Sequence, residues 1–314
     1  MLKEITKKIK QTIDSYSTTD QLVFQNQVIP IQQGYFTSLV GNGVKKITFI
    51  DGGQAEILSA ANFCLGFVRL AAATYQGITL IDQKIIEFYV FVKAVYHANE
   101  IYYQSTLFPV TGKLLFSAED LFISSHDSTI KNGTERAALQ KVVGMARRFG
   151  ELTLAASFDN EIVVLDGTLD ATYKNENKFL SLLSEQVSAL AKSSSLFTIS
   201  GNSPMIFLNK IGPENECWSY FVTGKTYFVK LHPIAKHIFR FTGRKDVLSS
   251  LVKLSSDAVF LGYPYGLIVA DKLARVSNAE KSSLQMQFLL KEENKDIVSY
   301  LSTQNVHDIL DRLG

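Results

Sequence analysis

The sequence predicts an α/β protein, a mixed β-sheet with helices on its faces, and three observations carry that expectation. The stretch Ile47–Ile57, ITFIDGGQAEI, opens with the strand-forming residues Ile47, Thr48, Phe49 and Ile50 and runs into Asp51 and two glycines. Glu161–Leu169, EIVVLDGTL, repeats the arrangement, with Ile162 to Leu165 leading into Asp166 and Gly167. Between them lie segments rich in β-branched and aromatic residues, followed by one of helical periodicity. Short apolar runs bounded by glycine read as strands buried on both faces. A strand, helix, strand, helix, strand order after a meander argues for helices layered on a sheet.

Each Asp-Gly pair has a local explanation, since both residues are favoured in turns. Taken together, the two strands deliver one carboxylate each. The paired glycines would let the chain leave the first strand sharply and place Asp51 exposed at the sheet end. Two carboxylates on one rim are costly unless a cation is bound.

With 314 residues, 46% of them hydrophobic, the chain is long enough for one large domain. A net charge of +2 and a pI near 8.3 neither demand nor exclude a polyanionic partner, which needs a local basic patch. Cys64 and Cys217 lie far apart, with no Cys-x-x-Cys spacing or histidine cluster. That argues against a disulfide scaffold or zinc site and for a reducing cytoplasm. No apolar run approaches the roughly 20 uncharged residues of a membrane span, and MLKEITKKIKQTI lacks the apolar core of a signal peptide.

In chain order, Leu2, Ile5, Ile9 and Ile13 recur at helical spacing among Lys3, Lys7, Lys8 and Lys10, an amphipathic first helix. Residues 1–45 form this helix and an arm. Ala55–Ser59, Phe63–Tyr75 and Ile85–Tyr96, with turn signals at Asn62 and Gly77, read as an antiparallel meander with Asp51 on its first strand. Residues 99–133, with Pro109, Gly112 and SSHDSTIKNG, read as an irregular surface insertion. Thr134–Ser157 turns helical, with Ala138, Val142, Met145, Phe149 and Leu152 spaced by three or four.

This helix carries two acidic candidates, Glu135 and Glu151. The strand to Asp166 climbs about 17 Å at roughly 3.3 Å per residue. Counting back along the helix at roughly 1.5 Å per residue, Glu151 lies about 10 Å up and Glu135 about 34 Å up. Glu151 is preferred, and Glu135 has a plain role as a first-turn acid complementing the helix dipole. Phe179–Lys192 reads as a second amphipathic helix and Leu196–Ser200 as a short strand. Lys225–Phe241, KTYFVKLHPIAKHIFRF, reads as a hairpin around Pro233 with one basic face of Lys230, Lys236, His237 and Arg240. Cations that track phosphates and aromatics that stack on bases suit single-stranded nucleic acid, although hairpin aromatics also serve as core. In Phe260–Ser277, FLGYPYGLIVADKLARVS, Pro264 gives a rigid entry to a helix bearing Asp271 with Arg275 one turn on. That spacing also suits an ordinary surface ion pair.

IDGG, LDGT and GYPYGLIVADKLARVS, in that order, resemble the NurA family of nucleases from about Lys46 to the C-terminus. The resemblance implies one nuclease domain over 1–314 with an RNase H-like core, and DNA cleavage dependent on Mn²⁺ or Mg²⁺. It also implies a homodimer working with a HerA-type hexameric translocase in DNA end processing. On that resemblance Asp51 is the first-strand metal ligand, Asp166 the ligand after the helix, and Tyr263 the tyrosine of the terminal motif. Asp271 stands where some members carry histidine, and Glu151, preceded by Arg147 and Arg148, fits the helix glutamate. Two hard cations about 3.5–4 Å apart activate water and neutralise charge in phosphodiester cleavage, and carboxylates hold such ions. Two other readings stand beside this one. Strand-Asp-Gly twice is also how actin-like ATPases hold nucleotide phosphates and Mg²⁺, though no Ser, Thr or Lys follows Asp51 closely. A catalytically silent assembly platform is the third.

Overall fold

The computed structural model describes residues 1–14, 20–24, 27–42, 45–194, 196–258 and 260–304. The first helix forms as predicted, α1 (Leu2–Asp14), and Leu2, Ile5, Ile9 and Ile13 are all exposed along it. The arm adds β1 (Gln21–Phe24), β2 (Gln27–Pro30) and β3 (Phe36–Ser38). Val306, Ile309, Leu310 and Leu313, which recur at helical spacing in the sequence and make a candidate contact surface, lie outside the described residues.

The meander is present and longer than expected: β4 (Lys46–Ser59), β5 (Phe63–Gln76), β6 (Thr79–His97), β7 (Glu100–Thr111) and the short β8 (Ile123–Ser124). Each pairs antiparallel with the one before. Asn99–Gly133 is therefore not an irregular insertion throughout. Its first part is β7, with Tyr103 and Ser105 buried and Ala98 and Asn99 at φ 49° and 65°. Two successive positive φ values make the tight turn whose twist matches a hairpin. Pro109 is tolerated because it falls near the end of β7, opposite Phe88, beyond the reach of the two-residue pairing with β8.

The central helix, α2 (Gln140–Ala156), begins later than the predicted Thr134. Ala137 is instead tied to the sheet: its N–H donates to Ser125 O at 2.8 Å and its carbonyl accepts from the Tyr103 hydroxyl. Then come β9 (Ile162–Asp166), α3 (Glu176–Leu180) and β10 (Val187–Ala191). The predicted helix over Phe179–Lys192 is thus overturned beyond Leu180. All of Val187–Ala191 is buried, and burial on both sides decides for strand where Ala and Leu alone favour helix. The remaining elements are β11 (Phe197–Thr198), α4 (Pro204–Ile211), β12 (Trp218–Thr223), β13 (Thr226–Lys230), β14 (Phe239–Thr242), α5 (Leu248–Leu254), α6 (Tyr265–Ala274), α7 (Asn278–Leu289) and α8 (Lys295–Gln304).

The chain forms two compact units. The first comprises Met1–Lys45, Asp166–Thr168 and Ser188–Tyr265. In it β3, β12, β13, β14 and β10 lie side by side, all antiparallel, and β1 sits between β11 and β2. Leu22, Phe24, Trp218, Tyr220 and Phe228 pack as its core. The second comprises Lys46–Leu165, Leu169–Val187 and Gly266–Gly314. Its strands run β9, β4, β5, β6, β7, β8, with β9 parallel to β4 and the others antiparallel, a mixed sheet. Helix α2 covers one face, where Val143 presses on Gly66 and Gly150 on Leu70. Helix α6 covers the other, where Gly266 admits the Phe49 ring. This mixed α/β architecture is the RNase H-like class expected from the sequence. No helix among the described residues is long and apolar enough to cross a membrane.

Candidate active site

The IDGG segment does not leave the sheet. β4 continues through it, with Asp51 opposite Ala71, Gly52 opposite Leu70 and Gly53 opposite Arg69, and Asp51 is only 8% exposed. The expectation of a sharp exit and an exposed carboxylate is corrected by the reason for the two glycines, which is steric. A Cβ on Gly52 would lie 2.5 Å from Glu151 Oε1 and 2.9 Å from Arg147 Cγ. A Cβ on Gly53 would lie 2.8 Å from the carbonyl carbon of Ala274 and press closer still on its oxygen. Successive residues of a strand face opposite ways. Gly52 therefore receives α2, and Gly53 the end of α6. Filled on both sides, the glycines form no phosphate-cradling turn, which removes the basis for an actin-like ATPase.

The same alternation sorts the carboxylates. Asp51 shares its face with Phe49 and Gly53, the face covered by α6, on which Asp271 lies; Glu151 stands on the α2 face. Asp51 Oδ1 accepts from Gly52 N at 2.7 Å. The parallel pairing of β4 and β9 ends at Ile50 opposite Leu165, so Asp51 and Asp166 each follow directly on that pair. Here the glycine exit does occur: Gly167, at φ 117°, turns the chain out of β9.

Glu151 is 3% exposed, which separates it from Glu135, exposed and ahead of α2. Its carboxylate pairs with Arg147 Nη1 at 3.1 Å and Arg148 Nη1 at 3.8 Å. Arg147 Nη1 also donates to Gly52 O at 2.9 Å. Arg148 Nε donates to Glu176 Oε1 at 2.6 Å, and the fully buried Glu176 accepts on Oε2 from the N–H groups of Thr172 and Tyr173 at 2.7 and 3.0 Å. Two buried carboxylates are thereby met by two guanidinium groups, the condition under which such charge is tolerated. Glu176 was missed by sequence reasoning, since KNENKF reads only as a polar helix start.

In the first unit, Asp166 Oδ2 accepts from Lys192 Nζ at 2.6 Å, and that Nζ lies 5.1 Å from the centroid of the buried Tyr263 ring. Lys192 was also missed, because reading Phe179–Lys192 as a helix hid its place just past a strand. Asp271 pairs with Arg275 across one turn of α6, the surface pair its spacing allows.

The basic hairpin is real, β13 against β14 with Val229 opposite Phe239, but its predicted basic face is not. Lys230 and Arg240 are buried, and the Arg240 guanidinium lies over the Phe24 ring at 5.3 Å. Lys236 and His237 remain exposed, with His237 stacked on Phe260 at 5.3 Å. Lys230 and Arg240 share the inward face of the hairpin, where Phe24 of the N-terminal arm meets Arg240. Cys64 and Cys217 are both buried free thiols, and burial pushes the Cys64 thiol up to about 12. A cavity of about 860 Å³ lined by Phe63, Tyr89, Phe91, Phe288 and Tyr300 is apolar and contains none of the predicted site carboxylates.

Among the described residues no three His, Cys, Asp or Glu side chains gather in a group able to hold a metal ion. The donors fit a hard cation in chemistry, being carboxylate oxygens only. In arrangement, Glu151, Asp166 and Asp271 each carry a basic side chain, so a cation would enter by exchange with it.

No family model matches the sequence, and no curated protein matches it. Among solved structures, the chain is similar to the NurA nuclease from Sulfolobus solfataricus, at 13% identity and a TM-score of 0.52 over 94% of each chain. It is also matched to the catalytic domain of human Endonuclease V, at 6% identity and a TM-score of 0.36, over 82% of this chain and 93% of that one. A third match is Argonaute from A. aeolicus, at 14% identity and a TM-score of 0.30, over 79% of this chain and 30% of that one. The fold class is that of a mixed sheet with helices on its faces. The particular fold is the one seen in NurA, along nearly the whole of both chains.

Proposed function

We propose that the chain, acting over 1–314 as one nuclease domain, hydrolyses phosphodiester bonds in DNA with a divalent cation, Mn²⁺ or Mg²⁺. The observation that carries this reading is that Asp51 and Asp166 follow directly on the paired Ile50 and Leu165, in a fold shared with a NurA nuclease. A bound cation supplies a water of lowered pKa and charge to offset the attacked phosphate. Asp51 and Asp166 would hold it, with Asp271 on the α6 face as a third carboxylate. Glu151, the fourth carboxylate, stands across β4 on the α2 face and would act there with Arg147 and Arg148, at a distance from a cation on Asp51. Buried Tyr263 gives Lys192 a fixed ring to rest on, and exposed Lys236 and His237 are the hairpin side chains available to a strand.

The test is cleavage of end-labelled single- and double-stranded DNA with and without Mn²⁺. Asp51→Asn keeps the shape and loses the charge, so cleavage should vanish while the melting temperature stays within a few degrees; full activity would refute the assignment. The ion-paired state of three of the carboxylates favours a second reading, a catalytically silent DNA-binding platform. Retention of DNA with no cleavage at any Mn²⁺ concentration would select it.

The proposal extends to assembly. The sequence contains no G-x-x-x-x-G-K-[ST] loop, so movement along DNA during end resection in double-strand break repair would come from a HerA-like hexameric ATPase in the cytoplasm. A homodimer is expected to engage it, with the exposed apolar positions of α1 as one contact surface. Light scattering should give a mass near twice 35.0 kDa, and the ATPase with ATP should stimulate cleavage.

A further inference from the structure

Lys192 follows the last residue of β10, and its Nζ makes a 2.6 Å ion pair with Asp166. The two partners differ in freedom: the lysine side chain is 52% exposed and the aspartate 13%. Asp166 is held by its strand, and the residue after it is anchored to β10, Gly167 N donating to Leu190 O at 3.1 Å. Beneath the ammonium lies the Tyr263 ring, itself 3% exposed and walled by Phe239 and Phe260 at 5.2 and 5.9 Å between ring centroids. A cation over such a ring keeps a preferred place even when its carboxylate partner is lost. The pair is thus a fixed carboxylate and a movable cation above a rigid aromatic floor.

We infer that Lys192 is a phosphate-binding residue, held on Asp166 until a divalent cation takes that carboxylate and then turned to a phosphodiester oxygen of the bound strand. The inference rests on the proposed reading of Asp166 as a cation ligand. Charge accounts for the exchange: aspartate and lysine sum to zero, whereas aspartate, a divalent cation and lysine sum to two positive charges. An anionic strand matches that excess. Because Asp166 with Lys192 is already neutral, the unloaded protein has less attraction for the strand at this point than the loaded one.

The experiment measures Mn²⁺ binding by calorimetry without DNA, and binding of a labelled single-stranded oligonucleotide in Ca²⁺ across a salt series. The unchanged chain is compared with Lys192→Met, Lys192→Arg and Asp166→Asn; the lysine is exposed enough for its variants to fold. K192M should bind Mn²⁺ about two- to fivefold more tightly, the range for removing a competing partly exposed ion pair. It should bind the oligonucleotide more weakly, with the slope of log K against log salt reduced by about 0.7. K192R should keep both properties. Equal Mn²⁺ affinity and equal slope in K192M would overturn this inference alone. Absence of Mn²⁺ binding to the unchanged chain, or unaltered binding by D166N, would remove the metal reading of Asp166 and this inference with it.

Discussion

Gly53→Ala tests whether close helix approach, rather than a turn, explains the double glycine. The added Cβ would lie 2.8 Å from Ala274 C and 3.2 Å from Arg275 Cα, with the Ala274 oxygen nearer still. Ordinary carbon contacts begin near 3.5 Å, so the end of α6 must withdraw by about 1 Å. Overpacking of this kind costs about 1–3 kcal/mol, and a backbone obstacle that cannot rotate aside places G53A near 3. Alanine also restricts the unfolded chain, returning roughly 0.4–1 kcal/mol. The net loss is about 2 kcal/mol, read from urea unfolding as a lower midpoint at unchanged slope. Gly52→Ala meets side-chain atoms, Glu151 Oε1 and Arg147 Cγ, and should lose less. A G53A protein as stable as the unchanged chain would refute the packing argument and restore the turn.

Three further outcomes follow from burial and charge. Replacing buried Lys230 and Arg240 together with Met should cost about 1–2 kcal/mol in stability and leave the salt slope of DNA binding unchanged. Neutralising exposed Lys236 should reduce that slope by about 0.7 if it contacts a phosphate on single strands. The hydrogen bond and charge of Arg69 hold the Glu280 carboxyl below its ordinary value. A depressed carboxyl stabilises the fold above its unfolded pKa, roughly 4.3, and that stability is lost as pH falls through the folded value. Urea midpoints measured from pH 7 to 3 should therefore fall more steeply for the unchanged chain than for Glu280→Gln.

What was legible in the sequence is what strand and helix periodicity controls directly. The meander, α1, α2, β9, α6 and the β13–β14 hairpin all announce themselves by alternation or by three-four spacing. The failures share one cause, that distant packing decided the outcome. VSALA in Val187–Ala191 has no helix-breaking residue, and becomes a strand because every one of its residues is buried. Ile101–Leu107 carries enough aromatic and β-branched character for a strand, but Pro109 and Gly112 drew the reading towards a loop. Only its edge position shows why the proline is harmless.

The site shows the same division at finer scale. Asp51 and Asp166 were visible because each closes an apolar run, and the parallel register of those runs, ending at Ile50 opposite Leu165, is what sequence does not give. Their counter-ions were not visible. Lys192 stands 26 positions from Asp166 and Glu176 28 from Arg148, separations at which no local pattern links the partners. A carboxylate motif therefore predicts where negative charge will be, but not whether a protein cation already answers it. For Asp166 the answer is a lysine more than half exposed. For Glu151 it is two arginines, one of them clamped by the fully buried Glu176. Displacing the clamped arginine would strand a buried carboxylate, so under the proposed cation site Asp166 would exchange its partner while Glu151, on the α2 face, would keep its arginines, with Arg147 the more exposed of the two.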